Sequence, residues 1–139
     1  MENCIFCKIA RKEIPAYILY EDEYSIAFLD INPLNKGHTL FIPKKHFERL
    51  SSMDEEYSKK FYESFQKFLK LFEEKISKDY NIIINNGKKA GQAVFHAHIH
   101  LVPQYEDNGY KKIFLWNTNK LTEEEAKEII KNFNNLNSK

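Results

Sequence analysis

Several features that would assign this sequence to a common protein class are missing from it. Charge is nearly balanced, with 21 Lys and Arg against 20 Asp and Glu in 139 residues. The chain therefore lacks the broad positive charge that would favour non-specific nucleic-acid binding. No apolar run approaches membrane-spanning length, and the N-terminus has neither the basic nor the apolar segment of a secretory signal. We expect a cytoplasmic protein whose partners include neither nucleic acid nor membrane.

Cysteine is scarce, since Cys4 and Cys7 are the only two in the chain. In a reducing compartment this two-residue spacing favours metal ligation or redox chemistry over a structural disulfide. Repeats, low-complexity tracts and linkers are also missing, and the length fits one domain with a real hydrophobic core. We expect a single domain over 1–139, with a motif-bearing core at about 4–103 and an extension with a helix at about 104–139.

Three histidines alternate with apolar residues in a short run that ends at Val102. On a β-strand, alternate side chains point to opposite faces, so His96, His98 and His100 would share one face. The other face would be apolar and comprise Phe95, Ala97, Ile99 and Leu101. Three stacked imidazoles make a poor core, because each neutral ring carries a donor and an acceptor that need partners. The pattern therefore indicates a chemical role.

Short apolar segments separated by turn residues predict a sheet. The Asn86-Gly87 turn predicts that the segment before it pairs antiparallel with the histidine strand, which would then be a central strand. The resulting fold class is α+β, with a five-stranded antiparallel sheet, one long helix and a C-terminal helix. Four strands are expected besides the histidine strand: Tyr17–Glu21, Tyr24–Leu29, His38–Ile42 and Asn81–Asn85.

Helical patterns occur in three places. Phe6–Ala10 resembles a helical turn, and capping boxes at Ser52–Glu55 and Thr122–Glu125 predict the starts of a long helix, ending near Ile76, and of a terminal helix. The long helix carries an apolar stripe that could pack on the protein's own sheet or on a second copy. The stripe comprises Tyr57, Phe61, Phe65, Phe68, Phe72 and Ile76.

The residues alone leave two metal hypotheses open. Alternate histidines on a strand are a familiar way to present two or three ligands to zinc, which would make the triad a catalytic metal site. Alternatively, Cys4 and Cys7 supply half of a tetrahedral set, and two histidines would complete a closed structural site.

The motifs resemble those of the histidine triad family, whose signature His-φ-His-φ-His-φ-φ is matched by His96–Val102. The likeness covers roughly residues 4 to 103 and is typical of the Hint-like branch, in its bacterial zinc-containing form. Further matching segments are Phe6-x-x-Ile9, Arg11–Ala16, Phe28-x-Asp30-Ile31-Asn32-Pro33, Gly37–His46 and Gly91-Gln92-x-Val94.

This resemblance implies a homodimeric hydrolase for nucleotide conjugates. His98 would attack the α-phosphorus of a purine nucleoside phosphoramidate or adenylated compound, and water would hydrolyse the nucleotidyl-histidine to release the nucleoside monophosphate. His100 and His38 would contact phosphate oxygens and the nucleophile. The resemblance also implies a structural Zn²⁺ held by four ligands: Cys4, Cys7, His46 and His96.

The resemblance further implies a nucleotide pocket. Asp30 would accept hydrogen bonds from ribose hydroxyls, although it could simply begin a turn. The base and ribose would contact Phe6, Ile9, Phe28 and Ile31, residue types that otherwise form core. Asn85 would contact the phosphate or the leaving group and Gln92 the phosphate, while Gly91 would allow their close approach. The Gly and Asn content of this loop otherwise indicates a plain turn.

One position departs from the family pattern. Many Hint-type phosphoramidases have a serine after Gly-Gln that assists the leaving amine, whereas this chain has Ala93. Assistance must then come from His100, water or the main chain, or be weaker. Two alternatives stay open: hydrolysis of dinucleoside polyphosphates, as in the Fhit-like branch, and a nucleotide-binding or scaffold role with little turnover.

Overall fold

A computed structural model describes residues 3–114 and 117–135. Its centre is a five-stranded sheet with the order β1-β2-β3-β5-β4, and every neighbouring pair is antiparallel. The strands are β1 Ile18–Glu21, β2 Ser25–Leu29, β3 Thr39–Pro43, β4 Tyr80–Ile84 and β5 Ile99–Pro103. The helices are α1 Ile5–Ala10, α2 Glu55–Lys75 and α3 Glu123–Asn134. The predicted α+β fold is confirmed, and β5 is an inner strand as expected.

The long helix α2 covers one face of the sheet. Its aromatic stripe interdigitates with alternate residues of the inner strands, because period-2 alternation aims them at the same side. Phe41 is fully buried there and stacks on Phe68, with ring centroids 5.4 Å apart. The buried cluster comprises Ala27, Phe41, Phe61, Phe65, Phe68, Phe72, Ile99 and Leu101. Of the two roles open to the stripe, the structure assigns it to the protein's own sheet.

The short helix α1 packs on the opposite face of the sheet. Its residues Phe6 and Ile9 are buried against the strand positions that alternate with the first cluster. This second cluster comprises Phe6, Ile9, Ile26, Phe28, Leu40 and Ile42. His100 lies on β5 between Ile99 and Leu101, which face α2, so it points to the α1 side. The sheet therefore has one purely structural face and one face that combines apolar packing with histidine.

Two predicted details were wrong. The N-cap of the long helix lies two residues later than expected, because Asp54 rather than Ser52 occupies that position and accepts a hydrogen bond from the Tyr57 amide. Phe95 does not join the apolar face and is 43% exposed. The Ala97 amide donates to the Phe47 carbonyl, and the β5 ladder starts only at Ile99. Strand alternation does not extend back to Phe95 for this reason.

The C-terminal helix α3 begins at the predicted capping box, in which Thr122 and Glu125 exchange hydrogen bonds. Its apolar residues Ile129, Ile130 and Phe133 are exposed, at 59%, 59% and 86%. Among the helices at 3–114 and 117–135, none combines the length and the hydrophobicity of a membrane span.

Candidate active site and metal centre

A cavity of about 620 Å³ opens beside the histidines, on the α1 side of the sheet. Most of its wall is apolar, while Asp30, Asn32, His98 and His100 bring polar groups to it. The dimensions and lining are typical of a small-molecule site. Seven of the expected site residues line the cavity: Phe6, Ile9, Phe28, Asp30, Ile31, His98 and His100.

The ring of His98 is fixed by its own chain. Its Nδ1 lies 2.8 Å from the His96 carbonyl oxygen, and because a carbonyl can only accept, Nδ1 carries the proton. The neutral ring therefore keeps an unprotonated Nε2. Phe6 packs edge-on against this ring, with centroids 5.1 Å apart. The arrangement presents a nucleophilic nitrogen in a fixed orientation at the cavity wall.

A chain of hydrogen bonds sets the tautomers of the other two site histidines. The Leu34 amide donates to His38 Nδ1 at 3.0 Å, so a neutral His38 carries its proton on Nε2. That nitrogen lies 3.0 Å from His100 Nδ1 and donates to it. His100 then carries its proton on Nε2. The Leu34 amide thus determines the tautomers of both rings. As a result His100, which lines the cavity, has an N–H donor at Nε2.

Burial keeps both of these histidines neutral. Desolvation, together with the neighbouring His98 and His38, lowers the pKa of His100 to about 4 against the opposing charge of Asp30. Desolvation also lowers the pKa of His38, against the opposing charge of Asp30. Both rings are therefore uncharged at neutral pH, which is the condition under which the tautomer chain exists.

Asp30 stands at the edge of the cavity, one residue after β2. One carboxylate oxygen accepts a hydrogen bond from the Asn32 amide at 2.8 Å. Asp30 therefore begins a turn, which was the alternative to a ribose contact in the sequence analysis. The other oxygen is 3.7 Å from His38 Nε2, too long for a hydrogen bond. The carboxylate therefore both closes the turn and faces the site.

Four candidate metal ligands converge at the other end of the histidine run: Cys4, Cys7, His46 and His96. Cys7 Sγ is 3.3 Å from His46 Nδ1 and 3.5 Å from His96 Nδ1, while Cys4 Sγ is 3.4 Å from His96 Nδ1. Tetrahedral zinc with ordinary bond lengths places sulfur and nitrogen ligands about 3.5 Å apart. The four donors therefore fit a zinc ion.

The ring orientation of His96 suits the same ion. Its Nε2 lies 2.8 Å from the Pro43 carbonyl, so Nε2 carries the proton and Nδ1 offers a lone pair to the cysteines. Burial, together with the adjacent Cys4, raises the pKa of Cys7 to about 11. A thiol in this state must lose its proton when a cation binds.

A second group of possible ligands, Asp30, His38 and His100, is less suited to a metal. Ligation through His38 Nε2 would require the proton on Nδ1, where the Leu34 amide already donates. Two donors would then face each other at 3.0 Å. The backbone therefore favours a hydrogen-bonded relay over metal binding at these three residues.

The expected phosphate loop has a different arrangement from the one anticipated. Asn85, Gly91 and Gln92 are not among the cavity-lining residues. Gln92 is buried, and its amide is occupied by the Gly87 N–H and by the Glu48 and Val94 carbonyls. In this conformation Gln92 holds the loop together, and Gly91 adopts φ +95° beside Asn85, a geometry that glycine permits.

Sequence reasoning missed several contributors to the site. The Leu34 amide had no signal, because a backbone donor has no residue preference. Cavity-lining residues outside the expected set are mostly apolar and come from the α1–β1 connection, β2, β3 and the segment before the triad. They include Ile14, Pro15, Ala16, Tyr17, Leu40 and Val94.

A histidine triad ending on the inner strand of an antiparallel sheet, and opening onto an apolar cavity, defines the class of protein. A family model described as "HIT domain" matches residues 11–107, and the chain belongs to this family. A HIT-like protein of Methanocaldococcus jannaschii is 50% identical over 106 residues, covering 76% of this chain and 82% of that protein. Adenosine 5′-monophosphoramidase HNT1 of Saccharomyces cerevisiae is 43% identical over 107 residues, covering 75% and 64%. A crystal structure of a Bacillus subtilis HIT-family member superposes with a TM-score of 0.83 at 38% identity, covering 94% of both chains.

Proposed function

We propose that this protein hydrolyses purine nucleotide conjugates, namely nucleoside phosphoramidates or adenylated compounds, and releases the nucleoside monophosphate. The observation that carries the proposal is His98, whose Nδ1 is held by the His96 carbonyl while its ring lines the cavity. The name of the yeast relative, an adenosine 5′-monophosphoramidase, supports this substrate class. The apolar wall containing Phe6 and Phe28 would take the base.

In the proposed reaction, His98 Nε2 forms a bond to the α-phosphorus as the bond from phosphorus to the leaving group breaks. The resulting nucleotidyl-histidine is cationic, and the His96 carbonyl stabilises the N–H that carries the charge. Water then attacks the phosphorus, the N–P bond breaks, and neutral His98 returns with the nucleoside monophosphate.

The leaving group requires a proton, and Ala93 lines the cavity without one to give. Neutral His100 cannot give up its Nε2 proton without becoming an imidazolate. Its Nε2–H, which the chain from the Leu34 amide through His38 fixes, instead donates a hydrogen bond to the leaving group or to a phosphate oxygen. A proton from solvent completes the leaving group, and the attacking water returns one proton to solvent in the second step.

We further propose that Cys4, Cys7, His46 and His96 bind one structural Zn²⁺. The sulfur-to-nitrogen distances support this assignment, and four protein ligands leave no open position for water. The ion would link α1 and the loop after β3 to the residues before β5. Free thiolate ligands persist in a reducing compartment, which fits the expected cytoplasmic location.

The homodimer is also a proposal. β4 lies at the sheet edge with Ile82 44% and Ile84 37% exposed, and Tyr62 of α2 beside it is 58% exposed. This face is apolar and suits a two-fold pairing of identical copies. Light scattering should give a mass near twice 16.6 kDa, and a Tyr62→Glu, Ile84→Lys variant should give a monomer. A monomeric wild type would overturn the dimer.

The deciding experiment compares release of nucleoside monophosphate from an adenosine phosphoramidate by wild type and by His98→Ala, with Lys88→Ala as a surface control. We expect release by wild type and the control, and a loss of more than about 1000-fold without the nucleophile. Equal release by His98→Ala would overturn the mechanism. Parallel assays with a dinucleoside polyphosphate test the Fhit-like alternative, and nucleotide binding without turnover of either substrate would favour a binding role.

A further inference from the structure

The loop between β2 and β3 is tied to the end of β5 by one side chain. Asn35 Nδ2 donates to the Pro103 carbonyl at 2.9 Å and to Gln104 Oε1 at 3.1 Å. Gln104 in turn donates through Nε2 to Asn81 Oδ1 at 3.0 Å. Asn35 is thus part of a side-chain network that reaches β4 through Gln104. None of these side chains lines the cavity.

The same loop residue is bonded to the site through its backbone. The Asn35 carbonyl accepts from the His38 amide at 3.0 Å, and the adjacent Leu34 amide donates to His38 Nδ1 at 3.0 Å. Asn35 therefore joins two things: the backbone that fixes the tautomer of His38 and the strand that carries His100.

We propose that Asn35 is a positioning residue that sets the tautomers of His38 and His100 by clamping the Leu34 amide against His38. Through this clamp, the N–H of His100 is available to the leaving group. This inference rests on the proposed function only for its catalytic consequence, because the tautomers exist whether or not substrate turns over.

The clamp matters because the position of Leu34 depends on the hydrogen bonds of its loop. Leu34 is 55% exposed and belongs to neither buried apolar cluster, so apolar packing does not define its position. The Tyr105 hydroxyl donates to the Lys36 carbonyl at the other end of the loop. Removal of the Asn35 donors would leave the segment around Leu34 free to rotate its amide away from His38.

Loss of that amide changes the chemistry of His38. Without a donor at Nδ1, neutral His38 can carry its proton on either nitrogen. In the wrong tautomer, His38 Nε2 accepts instead of donating, His100 Nδ1 must supply the proton, and His100 Nε2 becomes bare. A bare nitrogen cannot donate a hydrogen bond to the leaving group, and it places a lone pair where a phosphate oxygen would accept.

The test uses Asn35→Asp, which keeps the size of the side chain and removes both donors, together with Asn35→Ala. Lys36→Ala is the matched control, because the loop uses the carbonyl of Lys36 and not its exposed side chain. The first readout is the ¹⁵N spectrum of histidine-labelled protein at pH 7.5, in which protonated and bare ring nitrogens resonate at separate frequencies. Assignment uses His38→Gln and His100→Gln.

We expect wild type and Lys36→Ala to have His38 and His100 each protonated on Nε2, and both Asn35 variants to have a mixture or the opposite tautomer. The second readout is turnover of the adenosine phosphoramidate. We expect kcat to fall between about tenfold and 100-fold in the Asn35 variants, with KM changed less than threefold, since a hydrogen bond to charge that develops in the transition state is lost and binding is kept.

Two results would overturn the proposal. One is the Nε2-protonated tautomer persisting in both Asn35 variants, whatever their activity. The other is a changed tautomer with kcat equal to that of Lys36→Ala. If wild type does not turn over the phosphoramidate, the proposed function fails on that substrate, and the ¹⁵N spectra alone decide whether Asn35 controls the tautomers.

Discussion

The backbone carbonyl of His96 accepts a hydrogen bond from His98 Nδ1 at 2.8 Å, while the His96 ring faces the two cysteines. One residue therefore belongs to both candidate sites. Its ring offers a lone pair to a metal, and its carbonyl fixes the tautomer of the candidate nucleophile. The two sites are adjacent but use different groups, so substitutions can separate them.

Metal content should depend on the cysteines and not on the histidines of the cavity. A Cys4→Ser, Cys7→Ser variant should lose the zinc that we expect in wild type at about one ion per chain, because two thiolates supply half of the ligands. Elemental analysis of purified protein measures this directly. The metal-free variant should also unfold at lower denaturant concentration.

The matched control for metal content is His100→Gln, which should retain the ion. The reverse pattern, with metal kept by the cysteine variant and lost from His100→Gln, would instead make the triad the metal site. That outcome would favour the three-histidine hypothesis.

Stability should fall in acid because of His100. Its pKa is lowered by burial from 6.5 to about 4 in the folded protein. Between these two pH values the unfolded chain binds a proton at His100 that the folded protein does not. The contribution of His100 to the free energy of unfolding is therefore fully present above pH 6.5 and is lost as the pH falls toward 4. In metal-free protein, His100→Gln should reduce the slope of unfolding free energy against pH by at most about 1.4 kcal/mol per unit. Parallel slopes in urea unfolding at pH 7, 5.5 and 4.5 would contradict the shift.

Gln92 should matter first for stability. Its buried amide joins the Gly87 N–H to the Glu48 and Val94 carbonyls, and Gln92→Ala would leave these groups without their side-chain partner. We expect the free energy of unfolding to drop by about 2–4 kcal/mol. Chemical denaturation measures it, with Lys88→Ala on the same loop as the control. An unchanged midpoint for Gln92→Ala would mean that water replaces the amide.

Asp22 should anchor the β1–β2 hairpin. Its carboxylate accepts from the Tyr20 hydroxyl, the Tyr24 amide, and both the amide and hydroxyl of Ser25, all at 2.8–2.9 Å. Asp22→Ala should lower the free energy of unfolding by about 2–4 kcal/mol, because several partly buried donors lose one acceptor. Glu23→Ala, next in the turn, should change it by less than about 0.5 kcal/mol. Equal effects in the two variants would refute the anchoring role.

Local sequence patterns were sufficient for much of the fold. The period of the Tyr57–Phe72 stripe and the Thr122–Glu125 capping box each predicted a helix that the structure contains. The two-residue period around Ile99 and Leu101 predicted that these two side chains share one face, and both belong to the cluster that packs on α2. These signals are local, because periodicity and capping depend on residues a few positions apart.

Other features could be known only from the folded chain. The exposure of Phe95 follows from the Ala97 amide pairing with the Phe47 carbonyl, and the sequence has no signal for a contact between positions so far apart. The sequence left open whether the stripe on α2 packs on the sheet or on a second copy, and the structure shows it packed on the sheet. Gln92 matched a family motif, but the use of its amide depends on the path of the loop.

The sequence by itself determined the fold class, the alternation that puts His98 and His100 on one face, and the residue types able to bind a metal or attack phosphorus. Each depends on local geometry and side-chain chemistry. Only the tertiary structure decided that four candidate ligands lie close enough to share one ion and that the Leu34 amide reaches His38. Those relationships join distant segments, and a backbone N–H has the same chemistry in nearly every residue, so only the folded path of the chain can assign it a role.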